Sequence, residues 1–362
     1  ETALAEGKSC YLAGGAPGLG PRGSVLSLDR ERGLVTLKFG RTIQPPAEGG
    51  LVPNEIVPTD TLARGVHRWV KAWRGGSATA QAIGDLLLRT PPRIRGHKGG
   101  GPVADPGKDL VAQLRAIAPR LEGTTLCIQG PPGSGKTYAA GEMIAALLAE
   151  GKRVGVTALS HKAILNVLGA AHDAMARHGI KAPLYKAGGD ADDPLIVSGA
   201  VTAIDSAKLP RVLASGPVVA GATAWGFSKE DVDGLLDVLF VDEAGQFSLA
   251  HAAAVGLAAR NLVLIGDPMQ LSQPLQGAHP GESGRSALEY LLDGKPTVPP
   301  EMGVFLEETR RLHPKVCGFI SDAVYEGRLK SHPDAAKRKL SAPKPGARVP
   351  VSEGIAYCEE GK

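Results

Sequence analysis

The residues best suited to chemistry form one run, QGPPGSGKTY, residues 129–138. A cluster of glycine and proline ordinarily marks only a turn. Here the order is Gly130, four residues, then Gly135, Lys136 and Thr137. The run sits between an apolar stretch of strand character and a stretch of helical character, which is the setting of a phosphate-binding loop. A phosphate chain needs several converging backbone N–H donors, and side chains would block its approach. Gly133 and Gly135 leave the backbone bare, and Pro131, Pro132 and Ser134 complete the loop. The helix starting near Lys136 adds unsatisfied N–H groups and a positive dipole end. Lys136 supplies a mobile charge for β- and γ-phosphates, and Thr137 a hydroxyl for Mg2+.

Such a loop needs an acidic partner at the end of another buried strand. VLFVDEAGQ, residues 238–246, provides it. Asp242 is expected to hold magnesium through its water shell, and Glu243 to polarise an attacking water. Phosphoryl transfer asks a protein mainly for positioning and charge neutralisation. A third run, LIGDPMQLSQP (264–274), ends a strand at Gly266 and Asp267 and places Gln270 in a tight loop. A neutral amide there can sense a γ-phosphate and relay its loss without adding charge.

These motifs require a scaffold, and the chain supplies one. TLCIQ (125–129), RVGVTAL (153–159), PVVAGATA (217–224), DVLFVDEA (237–244) and NLVLIGD (261–267) read as buried strands. KTYAAGEMIAALLAE (136–150) reads as a helix stopped by Gly151, and a second helix carries Ile164, Leu168, Ala171 and Met175 at helical spacing. Short apolar strands alternating with helices imply an α/β fold, a parallel sheet covered on both faces. Ligands of such sheets lie beyond the carboxyl ends of the strands, where every motif above falls. Upstream, residues 23–58 alternate in period two and predict a small antiparallel β unit, with a hairpin around DRERG. Residues 61–90 are helical in pattern, and Trp69 and Trp73, four apart, are expected as core anchors. Residues 91–107 suit neither strand nor helix. They read as a linker or mobile loop whose Arg93, Arg95, His97 and Lys98 could touch phosphate, although a charge run is usually just solvated.

Composition narrows the class. The 362 residues, 43% hydrophobic and 22% charged, suit a soluble globular chain of two domains. A net charge of +4 permits a nucleic-acid partner without demanding one. The four cysteines, Cys10, Cys127, Cys317 and Cys358, form no CxxC pair, which fits a reducing cytoplasm. No signal peptide or membrane-length apolar run is present. The chain starts at Glu1 and reads as a piece of something longer.

The combination of GPPGSGKT, DEAGQ and GDPMQLSQP resembles the superfamily I helicases of the nonsense-mediated-decay and Okazaki-processing type, over about residues 108–330. The resemblance implies a RecA-like P-loop NTPase domain, with ATP and Mg2+ as cofactors and single-stranded DNA or RNA as partner. It assigns Gln113 to adenine recognition and Arg311 to an arginine finger reaching the γ-phosphate. TALSHKA (157–163) and GATAWG (221–226) are similar to the family's strand-contacting motifs. By that likeness Ser160, Lys162 and Thr223 bind nucleic-acid phosphates, and Trp225 is either buried or stacked on a base. TRRLHP (309–314) looks closest to bacterial proteins that fuse a RecB-like nuclease to such a helicase, with the nuclease upstream of Glu1. The expected organisation is a small barrel-like β unit (1–60), a helical segment and basic linker (61–107), a first RecA-like domain (108–300), and the truncated start of a second (301–362). The implied activity is ATP-driven movement on a single strand, 5′ to 3′. The alternatives are an ATP-dependent clamp or remodeller that never separates strands, and a P-loop binding module without turnover.

Overall fold

The computed structural model describes residues 4–13, 20–45, 48–54, 58–189, 192–271 and 279–338. Two compact units result, residues 1–59 and 60–362.

In the first unit the alternation of residue types produces four short strands, β1 (Ser9–Ala13), β2 (Arg22–Asp29), β3 (Leu34–Lys38) and β4 (Gly50–Pro53). They form an antiparallel sheet in the order β3-β2-β1-β4. Val25, Cys10 and Leu12 are its buried residues. Among the described residues β3 and β4 are the outer strands of this small antiparallel sheet.

The second unit opens with helix α1 (Asp60–Arg74) and, after a short turn, α2 (Gln81–Leu87). Trp69 is buried and donates its indole N–H to the Ala80 carbonyl at 3.1 Å, and its ring stacks on Trp73 at 5.9 Å. Both tryptophans are therefore packing residues, as their spacing predicts. The basic stretch after α2 is less free than its composition suggests. Arg93 pairs with the buried Asp85 at 2.8 Å, Ile94 bridges to Leu121, and the Val103 amide donates to the Pro300 carbonyl at 2.8 Å. Arg93 is thus a structural cation, not part of a solvated run.

The core is an eight-stranded parallel sheet. Its strands are β5 (Thr125–Gln129), β6 (Arg153–Thr157), β7 (Leu184–Ala187), β8 (Thr202–Ile204), β9 (Val218–Gly221), β10 (Leu236–Val241), β11 (Ala259–Gly266) and β12 (Gly303–Phe305). The spatial order is β12-β5-β11-β10-β6-β9-β7-β8. β5 is buried at all five positions, as a strand covered on both faces must be. Cys127 within it is a free thiol whose pKa burial pushes up to about 12. Because β12 pairs with β5, the main sheet draws on residues past 300.

Helix α3 (Leu110–Ile117) is capped by Asp109, and α4 (Lys136–Ala149) and α5 (His161–His178) follow β5 and β6. α5 starts where the Ser160 hydroxyl accepts the Ala163 amide and ends at Gly179, φ +66. α4 and α5 approach closely at Gly141, where any Cβ would stand 2.7 Å from the Ala170 carbonyl carbon. Shorter helices α6 (Pro194–Val197), α7 (Leu209–Leu213), α8 (Ala224–Phe227), α9 (Leu249–Val255) and α10 (Ala287–Leu292) fill the connections. Beyond β12 lie a two-stranded parallel ribbon, β13 (Glu308–Thr309) with β14 (Lys330–Ser331), and helix α11 (Pro314–Val324). No helix among the described residues is long and apolar enough to cross a membrane.

Candidate functional site

All the chemistry-bearing motifs meet at the carboxyl rim of the parallel sheet, each on the loop after a different strand. The loop 130–135 leaves β5 and runs into α4. Its Gly130 amide donates to the Gly266 carbonyl at 2.9 Å, tying it to the end of β11. Gly133 holds φ +76, and Gly135, φ +84, stands immediately before α4. Thr137, half-buried, is the second residue of that helix. The Lys136 amine folds back over the loop, 2.6 Å from the Gly130 carbonyl and 3.3 Å from that of Pro131. Burial lowers its pKa, Asp267, Asp242 and Glu243 pull it back up, and Arg311 pushes it down. One ammonium thus feels the charges of four other motif residues, which locates their convergence. The Ser134 hydroxyl inside the loop is buried without a hydrogen-bond partner. An orphaned polar atom in such a cradle fits a phosphate ligand.

Asp242 follows β10, and its amide donates to the Thr157 carbonyl of neighbouring β6 at 2.9 Å. The side chain is 8% exposed, and burial raises its carboxyl to about 6, the Glu243 charge adding to the rise and Lys136 opposing it. Glu243 is exposed with φ +55, a left-handed conformation that costs a non-glycine residue about 1–2 kcal/mol. Such strain concentrates at functional sites. The turn packs closely on the end of β11: a Cβ on Gly266 would stand 2.7 Å from the Gly245 amide nitrogen and 2.8 Å from that of Ala244. Among the described residues no group of three or more His, Cys, Asp or Glu is placed to hold a metal. A site with one carboxylate and one hydroxyl suits magnesium, which keeps several waters and takes further oxygens from phosphate.

Gln270 is exposed and donates its amide to Asp267 at 3.0 Å. The same carboxylate oxygen accepts the Tyr325 hydroxyl from the turn ending α11 at 2.6 Å. Burial and the Asp267 contact hold the Tyr325 phenol far above the usual range. Arg311 lies beside the phosphate loop: the Arg310 amide donates to the Gly133 carbonyl at 2.9 Å. Gln113, on α3, is not among the residues lining the adjoining cleft of about 1510 Å3, whose wall includes Ala112, Ala116, Ser134, Gly135, Tyr138 and Arg310. Its amide is already engaged. Oε1 accepts the Asp105 N–H at 2.8 Å and Nε2 donates to the Asp105 carbonyl at 2.8 Å.

On the other side of β10 stand the residues expected to touch a strand. β6 and β9 are neighbours, with Val156 opposite Gly221, so Ser160 and Thr223 occupy adjacent positions of the rim. Ser160 caps α5, and Thr223, half-buried, precedes α8 without a side-chain cap bond. Lys162 is not a free cation: its amine pairs with Asp193 at 3.0 Å. Trp225 is partly buried, with its ring 5.7 Å from that of His251. Close by, Lys186 is fully buried, its amine bonded to His161 Nδ1 at 2.7 Å and to the carbonyls of Ala187 and Gly188, and burial lowers its pKa to about 8. Asp267 is marked in sequence by its strand-end GDP setting. Tyr325 and Lys186 carry no local signal, since their partners lie far off in the chain.

Parts of the chain are similar to known proteins. Residues 111–281 match the family model described as an AAA domain. The fold is that of a RecA-like P-loop NTPase domain. Over 224 residues the chain is 26% identical to the DNA replication ATP-dependent helicase/nuclease dna2 of Schizosaccharomyces pombe, covering 60% of this chain and 15% of that protein. Among solved structures, the helicase nonstructural protein 10 of an arterivirus is similar over 91% of this chain and 56% of its own, with TM-score 0.39 and 14% identity. The helicase domain of Hef from Pyrococcus furiosus covers 50% of this chain and 35% of its own, with TM-score 0.32 and 15% identity. The chain therefore spans a minor part of the curated relative and about half of the viral one.

Proposed function

We propose that the chain is the motor portion of an ATP-dependent helicase that moves on single-stranded nucleic acid, 5′ to 3′. The observation that carries this reading is the convergence of Lys136, Asp242, Glu243, Gln270 and Arg311 on one rim of one sheet. Thr137 and Asp242 are the residues that would hold magnesium, which when bound neutralises charge on the β- and γ-phosphates. The N–H groups of Gly133, Gly135 and Lys136 cradle the phosphate chain, and the Lys136 amine leaves the loop carbonyls to pair with it. Glu243 takes the proton of the attacking water, a role worth about 10²–10⁴ in rate. Gln270 senses the terminal phosphate, and Arg311 offsets its charge. Ser160 and Thr223 contact the phosphates of the strand, with Lys162 recruited from its pair with Asp193. Gln113 reads adenine once its amide exchanges Asp105 for the base.

Residues 301–362, of which Gly303–Phe305 add an edge strand to the first sheet, are read as the start of a second RecA-like domain, and the TRRLHP run supports a parent in which a RecB-like nuclease precedes the motor. A duplex with a 5′ single-stranded tail, offered to the full-length protein with ATP, is the test. Unwinding from the 5′ tail and none from a 3′ tail is the expected result. Strand-stimulated ATP hydrolysis with no unwinding of either substrate would instead establish a clamp.

A further inference from the structure

The segment holding Arg311 is fastened to the phosphate loop by one backbone bond, Arg310 N–H to the Gly133 carbonyl at 2.9 Å, and by one side-chain hydroxyl. Thr309 is fully buried, and its Oγ1 donates to the Pro132 carbonyl at 2.7 Å. The same oxygen accepts the Arg311 amide at 3.2 Å and the Leu312 amide at 3.4 Å. A Cβ on Gly133 would stand 2.9 Å from the Arg311 nitrogen and 3.0 Å from Thr309 Oγ1, so the two segments touch backbone to backbone. From behind, the His332 amide donates to the Thr309 carbonyl at 2.9 Å and Ser331 Oγ donates to that of Leu312 at 2.7 Å. Residues 309–312 are therefore clasped on one side by β14 and on the other by the phosphate loop.

We propose that Thr309 is a positioning residue that sets Arg311 against the terminal phosphate according to the state of the loop. The inference rests on the reading of this rim as an ATP site and deepens it. The peptide amides of a phosphate loop turn inward to a bound phosphate chain, and their carbonyls turn the opposite way. Pro132 and Gly133 present two such carbonyls to Thr309 and Arg310, so a change in loop conformation moves the Arg311 backbone directly. Threonine suits the task because a single oxygen can both donate to the loop carbonyl and accept the arginine amide. Valine has its shape and neither ability.

The test is nucleotide binding by the purified chain, read by fluorescence of mant-labelled ADP and of a mant-labelled non-hydrolysable ATP analogue, with no turnover needed. Thr309→Val is expected to weaken the ATP analogue about tenfold, as loss of a charge-assisted contact would, while leaving ADP within about twofold. Thr309→Ser, which keeps the hydroxyl, should restore both. In Thr309→Val/Arg311→Ala the loss should equal that of Arg311→Ala alone, because the first residue acts through the second. Equal weakening of ADP and ATP analogue, no weakening of either, or failure of serine to restore the difference would overturn the proposal. Melting curves establish that each variant folds, and Thr309→Ala replaces valine if that variant does not. A wild-type chain that binds neither nucleotide refutes the ATP-site reading instead, a result distinct from all of these.

Discussion

Replacing Asp242 by asparagine should make the nucleotide-free protein more stable at neutral and alkaline pH. The carboxyl sits at the end of a buried strand with a pKa near 6. Against about 3.9 in an unfolded chain, and at about 1.4 kcal/mol per pH unit, this makes the ionised side chain cost about 3 kcal/mol. The sign follows from proton binding. Between about pH 4 and pH 6 the folded protein holds a proton that the unfolded chain releases, so stability falls as pH rises through this window and stays low above it. Asparagine has nearly the same shape, never ionises, and leaves untouched the Asp242 amide bond to Thr157. Urea unfolding in EDTA should show Asp242→Asn ahead by about 3 kcal/mol near pH 8 and level with wild type near pH 4. Mg-ATP should narrow the gap near pH 8 by stabilising wild type alone. An asparagine variant no more stable than wild type near pH 8, or a gain identical at both pH values, would refute the electrostatic account.

Glu243→Gln should preserve ATP binding and lower hydrolysis by about 10²-fold or more in the full-length protein, read as phosphate release; unchanged turnover would remove Glu243 from the mechanism. Gln113→Ala should reduce the preference for ATP over GTP by roughly tenfold in competition binding, since a lost amide leaves the base edge unpaired. Gly133→Ala should abolish nucleotide binding, because φ +76 and the contact with Arg311 both exclude a methyl group; an alanine variant that binds normally would show that the loop does not grip phosphate.

Much of this site is readable from the chain alone, for a definite reason. β5, β10 and β11 are continuous apolar runs, each ending in the motif it presents, so local pattern and chemistry coincide at Gly130, Asp242 and Asp267. β7, β8 and β12 have four, three and three residues and no surviving periodicity, so no local pattern separates them from loop. The expected strand 217–224 stops at Gly221, because Thr223 begins a helical turn instead. Arg93 reads as a solvent charge until folding brings Asp85 to it, and Lys162, expected on a nucleic-acid phosphate, is met by Asp193. Thr309 meets Pro132 across 177 positions, and Tyr325 meets Asp267 across 58. Nothing local can encode such a partnership; only the closed fold does.

The bond from the Asp242 amide to the Thr157 carbonyl joins two jobs that the strand order might have kept apart. β10 carries the acidic pair and β6 leads into Ser160, and parallel neighbours lie only about 4.8 Å from each other. On the proposed reading, fuel and load are thereby yoked across a wall one strand thick. A tug that shifts residues 157–160 by an ångström must either break that bond or drag the metal-side aspartate with it. Tension on the track would then reach the engine without any long lever, and the engine's recoil would return by the same stitch.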